Sequence, residues 1–386
     1  MTQKKKNTEP TPAPALFVEP GLLKELVETT VRQLLEEEVA RHLGAGPYER
    51  SGERRGYRNG TKPRTMKTSV GELRFEVPQV RESGFRTQLF ERWQRSDKAL
   101  VAAMQEMVVK GVSTRRVSDV LEEMGGFEVS AATVSKTMAE LDASIEAFFS
   151  RPLDDCAYPY LMVDARYEKV RKDRRVRSQA VLVVAGIRDD GRRDLLALAL
   201  GDSESLDTWG EMFAGLKRRG LRGVELLVSD AHRGIRAAAE KHFQGAAWQR
   251  CRVHFMREMM GKVSYKNYSE LAADLRGIYA SEEREQCLEV AEEVASKWEA
   301  RYPKLAGALR DGVDDTLTVW DYGRKIRRKL NSTNMIERLM KEIKKRTRIV
   351  GSFPNEQACL RLVGAVLLET QDAWDIEDKR YIVFED

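Results

Sequence analysis

Between residues 158 and 200 the chain carries three apolar runs: YPYLMVDARY at 158–167, QAVLVVAGI at 179–187 and RDLLALAL at 193–200. Asp190-Gly191 turns the second into the third. Runs this short, rich in branched residues and joined by a turn pair, read as three strands of an antiparallel meander. The period then changes. Trp209, Met212, Phe213 and Leu216 recur at helical spacing over 206–219. A buried strand follows at 224–228, then a helix at 231–242 and a strand at 246–249. The order implies an α/β fold with a mixed sheet.

Two acids stand out against this frame. Asp164 lies inside the first strand, behind Leu161-Met162-Val163, where a carboxylate is costly to bury unless something pairs with it. Asp230 directly follows the fourth strand, at the carboxyl end where open α/β sheets place their sites. Taken alone, Asp230 also reads as a cap for the next helix. The order β-β-β-α-β-α-β, closed by a further helix, is that of a ribonuclease-H-like domain. In that topology strands one and four are neighbours, so the two carboxylates meet as a site for hard cations.

A second constraint lies at 330–353, LNSTNMIERLMKEIKKRTRIVGSF. Met335, Ile336, Leu339, Met340 and Ile343 give a helix with one apolar face. Between Arg324 and Arg348 there are 11 Lys and Arg against Glu337 and Glu342, so the other face suits a polyanion. Glu337 sits among these cations. Its spacing from Asn334 also fits a capping box. Upstream, Cys251-x-x-His254 invites a zinc reading with His232 and His242, but a closed site needs four well-spaced ligands. The pair fits better as structural support, with His254 hydrogen-bonding a carboxylate or phosphate. Residues 255–330 read as a helical insertion and 356–374 as a closing helix.

The 386 residues suffice for two or three domains. No apolar run reaches the roughly 18–20 residues of a membrane span, and four scattered cysteines favour a reducing cytoplasm over a disulfide framework. Residues 1–15, polar and Pro-rich, read as a disordered leader. The region 16–150 then reads as mainly helical, for oligomerisation and DNA binding. An amphipathic helix at 20–43, ended by Gly44 and Gly46, is the candidate dimer contact. The segment 50–95 carries 12 Lys and Arg against five Glu. There Arg54, Arg55, Arg58, Lys62 and Arg64 form an arm suited to phosphates. Residues 112–148 have a helix-turn-helix layout, whose second helix would present Ser130, Thr133, Ser135 and Lys136 to a groove.

Together these motifs resemble the Mutator-type transposases of bacterial insertion sequences over nearly the full length. The resemblance rests on YLMVDARYEKVR, LLVSDAHRGIRAA, QRCRVHFMRE and LNSTNMIERLMKEIKKRTRIVGSFPNEQACLRLV, with RNGTKPRTMKTSVGELRFEVPQVR and GVSTRRVSDVLEEMGG upstream. It implies a DDE triad of Asp164, Asp230 and Glu337, a Cys-x-x-His element at Cys251 and His254, and a catalytic domain of 151–254 plus 331–374. It further implies binding of double-stranded element ends, cleavage there, and joining of a 3′-hydroxyl to target DNA. Two Mg²⁺ ions would serve, Mn²⁺ substituting, with Asp164 bridging them. Arg338, Lys341, Lys344, Lys345 and Arg348 would hold the strand. A homodimer on paired ends, at the nucleoid, follows from the need to join two ends. The alternative is a catalytically silent DNA-binding regulator derived from such an enzyme. One departure is Arg257-Glu258, where the family pattern has Arg-Asn.

Overall fold

The structure, a computed structural model, describes residues 20–49, 52, 54–68, 71–81, 85–89, 98–125 and 128–384. The leader expected at 1–15 lies outside them. The chain divides into two compact units. One comprises Met1–Val108 with Val112–Thr137, the other Val109–Gly111 with Met138–Asp386.

In the first unit the expected amphipathic helix is α1 (Pro20–Leu43). Gly44, with φ of 67°, ends it in the left-handed conformation that favours glycine. The basic segment contains structure that its charge hides. Strands β1 (Tyr57–Thr68) and β2 (Gly71–Arg81) form an antiparallel ribbon. Leu73 and Phe75 of β2 pack with Leu35 of α1, flanked by Val27, Val31, Met66 and Val77. Of the α1 stripe offered as a dimer contact, Leu35 is thus buried within the chain, whereas Leu26 and Leu34 are exposed. Three further helices, α2 (Lys98–Val109), α3 (Thr114–Gly125) and α4 (Ala131–Met138), share a core of Leu100, Met104, Val117, Leu121, Val129 and Val134. Ser130 caps α4 through the Thr133 N–H at 3.1 Å. The second helix of the expected pair is therefore shorter than its sequence pattern. It stops at Met138, and α5 (Leu141–Ser150) belongs to the other unit.

The second unit is built on a five-stranded mixed sheet. Its strands are β3 (Tyr160–Lys172), β4 (Arg175–Ile187), β5 (Arg193–Gly201), β6 (Leu226–Ser229) and β7 (Ala247–Arg250), in the order β5-β4-β3-β6-β7. The first three are antiparallel; β6 joins β3, and β7 joins β6, in parallel. Between them run α6 (Leu206–Arg218) and α7 (Arg233–His242). These helices cover one face, where Leu161, Val163, Leu182, Leu196 and Leu227 meet Trp209, Phe213, Ile235 and Phe243. Five helices form the insertion: α8 (Arg252–Met260), α9 (Tyr268–Ile278), α10 (Arg284–Glu299), α11 (Pro303–Gly312) and α12 (Arg324–Leu330). The first four surround their own core, which includes Phe255, Leu275, Trp298 and Leu309. The buried Gln249 amide ties this insertion to β7, donating to the Thr316 carbonyl at 2.8 Å and accepting from Val319 N–H at 2.9 Å.

The chain then returns to the sheet as α13 (Asn334–Val350) and α14 (Glu356–Glu377). Both pack on β3, and α14 also reaches β5 and α5. A Cβ on Gly364 of α14 would stand 2.6 Å from Cγ2 of Ile145 in α5. Gly364→Ala is therefore expected to destabilise the unit by about 1–3 kcal/mol through overpacking. Thermal unfolding followed by circular dichroism checks this, and a wild-type midpoint would contradict it.

Candidate active site

Strand alternation decides which way each acid faces. Leu161 and Val163 belong to the core under α6 and α7, so Met162 and Asp164 face the side where α13 lies. The same parity sends Leu227 to that core and leaves Val228 and Asp230 on the α13 side. The last residue pair between β3 and β6 is Met162 with Val228. Asp164 stands two residues beyond it on β3, and Asp230 two residues beyond it, directly after β6 ends at Ser229.

Asp164 accepts a hydrogen bond from the Ala165 N–H at 2.9 Å. Burial pushes its carboxyl up to about 7. The positive charge of His254 and the Ala165 bond oppose that shift, while the negative charges of Asp230 and Glu337 add to it. Asp230 Oδ1 accepts from the His232 N–H at 3.0 Å. His232, whose Nδ1 accepts from Gly234 N–H at 3.3 Å, caps α7. The helix thus begins two residues later than its pattern suggested.

Glu337 does not close a capping box. Helix α13 starts at Asn334 with no side-chain cap bond, and Thr333 stands before it. Thr333 turns instead to Cys251, its N–H and hydroxyl donating to the buried sulfur at 3.3 and 3.2 Å. Cys251 N–H donates to the Ser229 carbonyl at 2.6 Å, and Arg252 N–H to the Asn331 carbonyl at 3.0 Å. One cysteine therefore ties the strand end before Asp230 to the helix start before Glu337.

Glu337 Oε1 lies 3.2 Å from His254 Nε2 and 3.7 Å from the Arg257 guanidinium. Both Glu337 Oε1 and His254 Nδ1 are buried without a hydrogen-bond partner among the described residues. His254 is raised to about 9, first by the Cys251 sulfur and then by Asp164 and Glu337, against the opposing effect of burial. It is a cation at neutral pH.

Cys251, His254 and Glu337 offer donor atoms within 4.8 Å of one another, the one such set among the described residues. Asp164, Asp230 and Glu337 do not form such a set, although the charges of Asp230 and Glu337 reach Asp164. In the tighter set the sulfur already accepts two bonds from Thr333, and the set falls short of the four ligands of a closed zinc site. Its geometry is that of a network holding Glu337. Hard oxygen donors on three acids fit Mg²⁺ better than the thiol and imidazole of that set do.

Around the site, Arg338, Lys341, Lys344, Lys345 and Arg348 are exposed on α13, opposite its buried face of Met335, Ile336, Leu339, Met340 and Ile343. Lys345 pairs with Glu342 at 2.5 Å. The departure at Glu258 is absorbed locally, by Arg250 at 2.5 Å and Lys262 at 3.1 Å. Sequence reasoning missed Thr333, the Arg257 contact and Glu204. Glu204 is a buried acid before α6 whose carboxyl is raised by burial first and then by Asp230. No apolar period marks these residues, since their partners are distant in the chain.

In the first unit, Arg55, Lys62, Ser135 and Lys136 are exposed. Arg58 is not free, since it pairs with Glu36 at 2.6 Å. Arg54 is held by the carbonyls of Glu49 and Gly56, both at 2.9 Å. Arg64 is half-buried on β1. The Ser130 and Thr133 hydroxyls bond each other at 2.9 Å in the α4 cap.

A sequence model described as "Transposase, Mutator family" matches residues 1–377. The chain belongs to the Mutator family of transposases. It is 43% identical over 371 residues to the transposase for insertion sequence element ISRM5 of Rhizobium meliloti (strain 1021), covering 96% of this chain and 93% of that one. It is 37% identical over 370 residues to the transposase for IS256 in transposon Tn4001 of Staphylococcus aureus, covering 95% of each. A solved Drosophila P element transposase strand transfer complex has 13% identity and a TM-score of 0.30, over 78% of this chain and 84% of that one.

The raised Asp164 of this transposase carries a pH signature. The native carboxyl holds its proton to higher pH than the unfolded chain, so this group's contribution is intact below about 4 and is lost as pH rises through about 7. Ionised, it costs on the order of 4 kcal/mol in metal-free protein. Asp164→Asn should therefore be more stable than wild type at pH 8 in chelator, with the gap closing near pH 4. Denaturant titrations at both pH values check this, and equal stabilities at pH 8 would contradict it.

Proposed function

We propose that this transposase is a metal-dependent DDE enzyme with a ribonuclease-H-like catalytic domain. It binds the terminal inverted repeats of its element, cleaves at their ends and joins the 3′-hydroxyl to target DNA. The observation carrying this reading is a buried Asp164 carboxyl, pushed up to about 7, within electrostatic reach of Asp230 and Glu337. The strand order, three antiparallel strands followed by two parallel ones, supports the domain assignment.

Asp164, Asp230 and Glu337 would hold two Mg²⁺ ions, or Mn²⁺ in their place. Bound there, the ions supply Lewis acidity toward the attacking hydroxyl and the leaving oxygen. The protein's own groups do the rest. Protonated His254 and Arg257 balance Glu337 and hold it on the site's side of α13. The exposed cations of that helix grip the strand's phosphates and fix its register. In the N-terminal region, Arg55 and Lys62 follow the backbone, and Ser135 and Lys136 on α4 face a groove.

The proposed division is a leader at 1–15, a DNA-binding and oligomerisation region at 16–150, a catalytic domain at 151–254 with 331–374, and a helical insertion at 255–330. Two ends must be joined, so the working form is a homodimer on paired ends. It acts in the cytoplasm at the nucleoid. Among the described residues, no helix is long and apolar enough to cross a membrane.

Asp164→Asn, Asp230→Asn and Glu337→Gln should each lower end cleavage and joining by about 10³-fold or more, the scale of losing a key electrostatic stabiliser, while end binding persists. A nicking assay on end-bearing duplex with Mg²⁺ or Mn²⁺ tests this. Normal cleavage by Glu337→Gln would remove it from the triad. Wild-type binding without nicking would favour the silent regulator.

A further inference from the structure

The strand that carries Asp164 does not stop at the sheet. Strands β3 and β4 pair without interruption from Tyr160 with Ile187 to Lys172 with Arg175. However, β6 accompanies β3 only through Met162, and β5 accompanies β4 only from Ala180. Beyond these limits the pair continues as a two-stranded ribbon. Sequence patterning ended the strands at 167 and 179 because the extension, EKVRKDRRVRS, is charged rather than apolar.

One face of this ribbon is anchored. Val170 is buried and bridges Phe353, with Arg171 N–H donating to the Phe353 carbonyl at 2.9 Å and Phe353 N–H to the Lys169 carbonyl at 2.8 Å. Lys172 is held by Asp202 at 3.1 Å and Glu356 at 3.0 Å. The other face and the tip are open. Lys169, Arg171, Arg174 and Arg175 are exposed, and none has an ion pair or side-chain hydrogen bond among the described residues. Arg177 pairs with Asp173, at 3.5 Å. From 169 to 177 there are six cations and one acid.

The turn adds a second observation. Asp173 and Arg174 have φ of 51° and 62°, as a two-residue primed turn requires. Glycine is the residue that turn favours at its second position, and arginine there is strained. Strain kept at an exposed tip points to a use for the side chain.

We propose that the β3–β4 ribbon is a DNA-holding arm that grips the duplex backbone beside the catalytic carboxylates. The proposal rests on the DNA-transposing function and adds a contact surface to it. The arm is continuous with Asp164. Arg171 lies seven residues further along, about 23 Å at strand rise and on the opposite face of the strand from Asp164, whereas Arg175 and Arg177, paired with Lys172 and Val170, share the face of Asp164; one turn of duplex is about 34 Å. Anchoring by Val170 and Lys172 makes it a fixed guide, and its contacts are to phosphates, so it reads no sequence.

The test measures binding of an arbitrary-sequence duplex of about 30 base pairs by full-length protein over a salt series, without divalent metal. In Arg171→Ala/Arg174→Ala/Arg175→Ala, affinity should fall roughly tenfold or more, and the slope of log K against log salt should shrink by about 2.7, three lost phosphate contacts. Arg174→Gly separates binding from folding: its melting temperature should equal or exceed wild type while the salt slope shrinks by about 0.9. Wild-type affinity and slope in both variants would overturn the proposal. So would a triple variant that binds normally but aggregates, because the cations would then only guard an open strand edge. If wild-type protein bound no duplex at all, the underlying DNA reading would fall with it. If only the variants' binding is unaltered, the arm alone is lost.

Discussion

Parallel pairing of β3 with β6 holds the candidate site together, although it spans only Tyr160–Met162 against Leu226–Val228. Strand side chains alternate strictly, so a slip of one residue would carry Asp164 or Asp230 to the opposite face. Apolar anchors prevent the slip. Leu161, Val163 and Leu227 are committed to the core under α6 and α7, which leaves the residues of opposite parity, Asp164 and Asp230 among them, no choice of side. The register that buries the core is the register that turns both acids away from it.

The third acid comes from far along the chain and needs its own tether. Cys251 supplies it, bonded through its backbone to Ser229 and through its sulfur to Thr333. The helical insertion can therefore extend from the sheet without loosening Glu337. The result is an electrostatically costly pocket. Burial and neighbouring acids raise Asp164, while His254 and Arg257 supply nearby positive charge. Stability given up here is recovered in the apolar core below, a division common where a site must wait for a ligand.

Apolar runs that alternate with a helical period made the sheet and its helices legible in the sequence. Asp164 and Asp230 were legible for the same reason, as charges where the pattern wanted none. The apolar face of α13 was equally plain. What escaped was whatever depended on a distant partner. Thr333 bonds Cys251, 82 positions earlier, so local spacing suggested a cap that does not form. The β1–β2 ribbon escaped because Lys, Arg and Thr dominate it, and only Leu73, Phe75 and Val77 betray a buried face. The tip of the β3–β4 hairpin escaped likewise, since both of its faces are charged.

The central claim is that three carboxylates from β3, the end of β6 and α13 act as one divalent-cation site. The most direct measurement is the Mg²⁺-induced rise in melting temperature of metal-free protein, compared with Asp164→Asn, Asp230→Asn and Glu337→Gln. A ligand that binds only the folded state raises stability in proportion to the logarithm of its saturation. The account predicts a concentration-dependent rise for wild type that shrinks sharply in each of the three variants. An undiminished rise in any of them would contradict it.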